Sequence, residues 1–301
     1  MSEQRGSGPT VTLGLPVYNG EKDLERSVDS ILGQTFTDLE LVIIDNESTD
    51  GNRAICERYA ALDPRVRYVR NEHNLGAAPN NNAVLELARG TYFKWVTHDD
   101  WLEPAYLERC LDVLMSEPDV VAAWPRTRIY DEQGDLIECY VHPAGLTSPE
   151  AHERMIQWIW NTKEFAPIFG VFPTRIVLET RRMESYASAD RTFFAEVLLR
   201  GRVVEIDEYL YCITRSTSVR KGRDKSWWTT TTIDKPTFDR WRYLVMMHRA
   251  IMQAPTLTGW RRYQTAAVNA MFFARGWPRR SLVRELTGAG RYYRSKVAEL
   301  V

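Results

Sequence analysis

The sequence predicts an α/β protein with a mostly parallel central sheet and helices on both faces. Three observations predict it. Short β-branched runs alternate with amphipathic segments of helical length through the first hundred residues. The runs are apolar almost throughout, as strands covered on both faces are. Three of them end on polar or charged residues, at Pro16 and Tyr18, at Asp45, and at Asp99 and Asp100. The carboxyl ends of parallel strands are where such sheets gather ligands.

Residues 11–15 read as a buried strand. Pro16 ends ladder donation and Tyr18-Asn19-Gly20 turns the chain. Leu24, Val28, Ile31 and Leu32 fall at i, i+4, i+7 and i+8, one face of a helix over 21–32. Residues 40–44 form a second strand ending on Asp45-Asn46, and the turn at 48–51 starts a helix to Leu62. A third strand over 66–69 leads into a loop at 71–76. Asn80-Asn81-Asn82 is expected to cap the next helix, with Gly90 as its stop. The aromatic run from Phe93 to Val96 then ends at Thr97-His98-Asp99-Asp100. Two like charges at the end of a buried strand either face solvent or need a cation. A divalent metal carrying a phosphate-bearing substrate is one such cation.

Pro104 opens a helix with Leu107, Leu111 and Leu114 on one face. Residues 120–124 and 129–130 read as strands and 131–135 as a hairpin turn. Ser148-Pro149 starts a helix containing Trp158 and Trp160, and 168–172 reads as a buried strand. Ser188-Ala189-Asp190 precedes a helix carrying Phe193, Phe194, Val197 and Leu198, which Gly201 stops. Strands at 203–206 and 209–213 complete the α/β part. The segment 215–235 is polar and basic around Trp227-Trp228, and loops of that length are functional or disordered. Two or three helices follow from residue 237. The expected division is a disordered stretch 1–9, an α/β domain 10–214, a mobile loop 215–236 and a basic helical region 237–301.

Composition narrows the class. With 44% hydrophobic and 26% charged residues, the 301-residue chain is of the soluble globular type. A net charge of -1 excludes general nucleic-acid affinity. The charge is uneven: residues 240–301 hold twelve Arg/Lys and two carboxylates, leaving 27 basic and 38 acidic groups before them. The four cysteines form no CxxC pair, which argues for a reducing compartment and against zinc. Met1 leads into a polar stretch unlike a signal peptide, and no apolar run reaches the roughly 18 residues of a membrane span. The expected location is cytoplasmic, with the basic, aromatic tail offering a peripheral membrane contact, a homodimer contact, or a face packed on the α/β domain.

Four segments, LGLPVYNGEKDLERSVDSILGQTF, LVIIDNESTDGN, NLGAAPNNNAVLELARGTYFKWVTHDD and ASADRTFFAEVLLRG, resemble in order and spacing an inverting family-2 glycosyltransferase of the GT-A fold. The resemblance implies metal-dependent, non-processive transfer of a hexose from a UDP-sugar to an acceptor hydroxyl. Residues 10–102 would then hold the nucleotide sugar and 103–214 the acceptor. By resemblance Pro16 and Tyr18 contact the nucleoside, and Asp45 accepts from the uracil ring N–H. From the residues alone Tyr18 is equally a packed turn aromatic and Asp45 a polar strand end. Glu21 either caps the first helix or faces the base. Asn74, Gly76 and Asn82 fit the family pattern on the donor side, whereas Asn81 stands where many relatives carry Arg.

Asp99 matches the family's metal-binding carboxylate, for Mn²⁺ or Mg²⁺. Asp100 matches the next one, assisting the metal or orienting the sugar. Here the chain departs from the pattern. Thr97 takes the first acidic position, and His98 either binds the metal or hydrogen-bonds a carboxylate. Asp190 matches the catalytic base, with Ala189 in place of an acidic neighbour; otherwise it is an N-cap. Arg215, Arg220 and Lys221 either close over the diphosphate or form a solvated run. Trp158, Trp227 and Trp228 are candidate platforms for a saccharide or small-molecule acceptor, or packing residues. Of the processive relatives' Q/RxxRW element only Arg240-Trp241 is present. The rival reading is a UDP-binding module with reduced or no transferase activity, which Asn81, Thr97 and Ala189 would permit. A nucleotidyltransferase would want a basic, Gly-rich phosphate loop after the first strand, and Pro16-Val17-Tyr18-Asn19-Gly20 is not one.

Overall fold

A computed structural model describes residues 8–142, 144–161, 166–186, 188–215 and 239–276. Its five-stranded sheet is ordered β3-β2-β1-β4-β8, from β1 (Val11–Val17), β2 (Leu39–Asp45), β3 (Val66–Arg70), β4 (Tyr92–Trp95) and β8 (Phe172–Pro173). The first four strands run parallel and β8 runs against them. All of β2 is buried, because helices cover both of its faces. Leu41 and Ile43 join Leu13 and Leu15 in a core with Leu24, Val28 and Ile31 of α1 (Glu21–Leu32) and with α4 (Tyr106–Ser116). Val42 and Ile44 point the other way, into a core with α3 (Ala77–Glu86). α2 (Asn52–Leu62) lies between β2 and β3 in the chain.

The second sheet is ordered β5-β9-β6-β7, from β5 (Trp101–Leu102), β6 (Val120–Tyr130), β7 (Leu136–Tyr140) and β9 (Arg202–Thr214). The turn between β4 and β5 therefore crosses from one sheet to the other. β6 runs unbroken where two strands were expected. The register against β9 shifts beside Pro125, a residue that cannot donate to the ladder. β9 likewise joins the two segments expected at 203–206 and 209–213. The expected strand at 168–172 is a 3₁₀ turn, Ala166–Phe169, followed by the short β8. α3 starts at Ala77 rather than at the asparagines. Gly76, at φ 84°, takes the left-handed conformation that turns the chain into the helix, and Asn80–Asn82 lie inside it. Leu87, not Gly90, closes it.

The remaining helices are α5 (Ala151–Asn161), α6 (Thr174–Leu178), α7 (Ala189–Leu198), α8 (Asp239–Gln253) and α9 (Gly259–Gly276). α8 and α9 are not an appendage. Tyr243, Met247, Ile251 and Ala266 share one core with Trp158 of α5 and Phe193 of α7. Trp260, Tyr263 and Met271 of α9 are exposed. Among the described residues no helix is long and apolar enough to cross a membrane. Trp227, Trp228, Arg220 and Lys221 lie outside the described residues, as do 1–7.

Candidate active site

The carboxyl ends of β1, β2 and β4 form one edge, since Val17 pairs with Asp45 and Gly14 with Trp95. Asp45 is fully buried and its oxygens are taken. Oδ1 accepts from the Ser48 N–H at 2.8 Å, and Oδ2 from Tyr68 Oη at 3.0 Å and Arg70 Nη1 at 2.5 Å. Oδ2 thus accepts two of these bonds and Oδ1 one. Pro16 is half-buried in β1, and Tyr18, just beyond it, is exposed. Glu21 accepts from the Gly51 N–H at 2.8 Å, while its own N–H donates to Asp50 at 3.0 Å. The two carboxylates thus tie the starts of α1 and α2 together.

An asparagine network, which sequence reasoning did not single out, holds the neighbouring loop. Asn46 Nδ2 donates to Asn74 Oδ1 at 2.8 Å, and Asn46 Oδ1 accepts from Asn71 at 3.0 Å and from the Leu75 N–H at 2.9 Å. Asn71 also donates to Asn80, which donates to the Ile44 carbonyl. The density of asparagine over 71–82 was the available signal. Asn74 and Gly76 belong to this network, Asn74 Oδ1 accepting from the Gly76 N–H at 2.9 Å. The Asn81 amide donates back to the Ala77 carbonyl, and the Asn81 carbonyl accepts from Trp95 Nε1. Asn82 ties α3 to Met183 in both directions.

The Thr97–Asp100 turn separates two adjacent carboxylates. Asp100 is buried; its Oδ2 accepts from Thr97 Oγ1 and Tyr211 Oη, both at 2.6 Å, and its Oδ1 from the Thr214 N–H at 3.2 Å. Burial, then the charge of Asp99, raises its pKa well above the carboxylate range, against the pull of those three donors. The Asp99 side chain has no hydrogen bond from any described residue, while its carbonyl is held by Arg26 at 2.9 Å and Thr214 Oγ1 at 3.0 Å. Arg26 in turn lies 4.3 Å over the Trp101 ring. His98 packs on the first turn: a Cβ on Gly20 would fall 2.4 Å from its ring.

Asp190 stands in the first turn of α7, after Ser188 at φ 70°. One oxygen accepts from the Arg191 N–H at 2.8 Å, and the other has no hydrogen bond from a described residue. Burial raises its pKa, and the Arg191 N–H and guanidinium oppose the rise. The helix is fixed by aromatic contacts. Phe193 meets Trp95 edge-on at 5.1 Å and Phe172 at 5.7 Å, and Phe194 meets Trp158 at 4.8 Å. Through Trp95, α7 docks on the strand that leads to Asp99.

Trp158 is completely buried, and its Nε1 donates to the Arg191 carbonyl. The acceptor-platform expectation is therefore corrected: the ring has no open face and serves to hold α7. The spacing of Arg154, Met155, Trp158 and Ile159, all buried, was the signal for a core face. Arg215 follows β9, its N–H donating to the Tyr130 carbonyl and its guanidinium 3.4 Å from Glu138.

Among the described residues no group of three His, Cys, Asp or Glu side chains is placed to hold a metal by itself. That suits a divalent ion which binds one or two carboxylates and takes its other ligands from substrate phosphates and water. Asp99, whose side chain accepts no hydrogen bond from a described residue, fits such a role. Asp100, which accepts three hydrogen bonds, also ties the turn to β9.

Comparison with known proteins adds four findings. The family model described as "Glycosyl transferase family 2" matches residues 12–172. Chondroitin synthase of Escherichia coli is 37% identical over 129 residues, which are 43% of this chain but only 19% of that protein. S. aureus TarS 1-349, solved in complex with UDP-GlcNAc, superimposes with a TM-score of 0.66 at 18% identity, over 87% of this chain and 71% of that one. The mannosyltransferase PcManGT from Pyrobaculum calidifontis, solved with GDP-Man and Mn²⁺, gives 0.53 at 17% identity, over 94% and 80%. At these identities the structural likeness is one of fold, the GT-A α/β architecture.

Proposed function

The chain belongs to glycosyl transferase family 2, and on that premise we propose that it transfers a hexose from a UDP-sugar to an acceptor hydroxyl by a single inverting displacement, aided by Mn²⁺ or Mg²⁺. The observation that carries this reading is a contrast among strand-end and helix-start carboxylates. Asp45 and Asp100 each accept three hydrogen bonds from the protein, whereas the Asp99 side chain and one oxygen of Asp190 accept none from a described residue. TarS was solved with UDP-GlcNAc and PcManGT with Mn²⁺, which supports a uridine nucleotide and a divalent metal here.

Asp99 would hold the metal together with the donor diphosphate. When bound, the metal supplies Lewis-acid stabilisation of the departing nucleotide. Exposed Tyr18 offers its ring to the nucleoside. Asp190 takes the proton of the acceptor hydroxyl as it attacks the anomeric carbon. Its raised pKa strengthens it as a base, and the Arg191 N–H fixes the direction of its open oxygen. Trp158 and Trp95 position that helix without touching the substrate.

The test is calorimetry with UDP, with and without Mn²⁺, followed by donor hydrolysis and transfer assays with UDP-glucose, UDP-galactose and UDP-GlcNAc. Wild type is expected to bind UDP more tightly with Mn²⁺ and to turn over one of these donors. Asp99→Ala should lose the metal-dependent part alone. Binding without hydrolysis or transfer would leave a UDP-binding module instead.

A further inference from the structure

Lys94 is completely buried in β4, in the middle of the strand that leads to Asp99. A buried ammonium is costly unless its protons are accepted, and burial pushes this one down to about 7. The surroundings are built to accept it. Lys94 Nζ donates to Tyr106 Oη at 3.1 Å and to the Phe169 carbonyl, which Tyr106 Oη also reaches at 2.9 Å. The ammonium lies 4.4 Å from the Tyr106 ring and 4.9 Å from the Tyr211 ring, within cation–π range. Tyr211 Oη, at the far end of the same ring, donates to Asp100.

The three residues come from β4, α4 and β9, so they join both sheets beside the turn from β4 to β5. We propose that Lys94, Tyr106 and Tyr211 form a buried strut that positions Asp100, and through the turn Asp99, to receive the metal and diphosphate of the donor. This rests on the donor reading above. An ordinary core would fill the space with aliphatic side chains at lower desolvation cost. Here the lysine reaches the carboxylate beside Asp99 through the Tyr211 ring, which it lies over and whose hydroxyl donates to Asp100. Lys94, Tyr106 and Tyr211 are positioning residues in this scheme; none touches substrate.

The experiment compares wild type with Tyr211→Phe and Lys94→Met in the full chain. It measures the Mn²⁺ concentration for half-maximal donor turnover, metal-dependent UDP affinity, metal-free uridine affinity and melting temperature. Tyr211→Phe keeps the ring and removes one hydrogen bond to a carboxylate, expected to raise the metal requirement and donor KM roughly tenfold. Uridine affinity and kcat at saturating metal should stay at wild-type values. In an Asp100→Ala background the same change should add nothing, since its target is gone. A Tyr211→Phe protein altered only in melting temperature, or one whose effect adds fully to that of Asp100→Ala, overturns the proposal. If Lys94→Met does not fold, Tyr211→Phe decides alone. Wild type that binds no uridine nucleotide overturns the donor reading itself, and the strut's role with it.

Discussion

The two sides of the site are held by different forces. On the donor side the ends of β1, β2 and β3 are locked by polar side chains: Asp45 with Tyr68 and Arg70, and Asn46 with Asn71, Asn74 and Asn80. On the proposed acceptor side Asp190 rides on a helix fixed by rings, with Trp95, Phe172 and Trp158 against Phe193 and Phe194. Hydrogen bonds are directional and set atomic positions; aromatic burial is larger and less directional. The difference teaches that binding and chemistry should fail separately. Substitutions on the donor side should raise KM, and those around α7 should lower kcat or stability.

The sharpest break is Asp190→Asn. An amide cannot take a proton at neutral pH, so kcat is expected to fall by about 10²–10⁴ while UDP affinity is kept. Wild-type-like turnover would remove Asp190 from the mechanism. The same residue sets a pH dependence. Its folded pKa is raised by burial, so the base is lost as pH falls through that raised value, and the acid limb of kcat/KM should lie above the ordinary carboxylate range. The stability sign is opposite. The folded state binds this proton more tightly than the unfolded one, so the contribution is present at low pH and is lost as pH rises through the raised pKa. Asp190→Asn should therefore abolish the acid limb and show no stability loss at neutral pH.

Next comes Trp158→Ala. Emptying a fully buried tryptophan costs about 3–5 kcal/mol and releases the Arg191 carbonyl. Thermal unfolding should shift strongly downward, and kcat should fall in the fraction that stays folded. A stable variant with normal kcat would show that ring packing does not hold the base.

Much of this contrast was legible in the sequence and part of it was not. The strand ends were readable because hydrophobic runs stop sharply at Tyr18, Asp45 and Asp99. The resemblance gave Asp99 the metal and Asp100 a supporting role, but not the donors to Asp100 from Tyr211 and Thr214, 111 and 114 residues away. Lys94 sat in an apolar run with nothing nearby to explain its charge; its partners Tyr106 and Phe169 are 12 and 75 residues distant. Residues 120–124 and 129–130 read as separate strands because the ladder to β9 that joins them, with its register shifts, leaves no local trace. Local patterns carried the elements, and long-range partners decided which polar residues were structural.

The gentlest test is on the donor side, at Asn46. Its amide makes four hydrogen bonds, donating to Asn74 Oδ1 and the Gly76 carbonyl and accepting from Asn71 and the Leu75 N–H. The residue is buried, so Asn46→Ala leaves several of these groups without partners, a loss of about 1–3 kcal/mol. Asn46→Asp keeps both acceptances but sets a buried carboxylate oxygen against Asn74 Oδ1 and the Gly76 carbonyl, so its effect should be at least as large. Because the network lies among the ends of β2 and β3 and the loop before α3, the loss should appear as weaker UDP binding and a higher donor KM. kcat at saturating donor should hold, since α7 is anchored elsewhere, through Trp95, Phe172 and Trp158. If Asn46→Ala lowered kcat and left KM alone, the polar network would have to reach across to the base, and the two sides would be one mechanical unit after all.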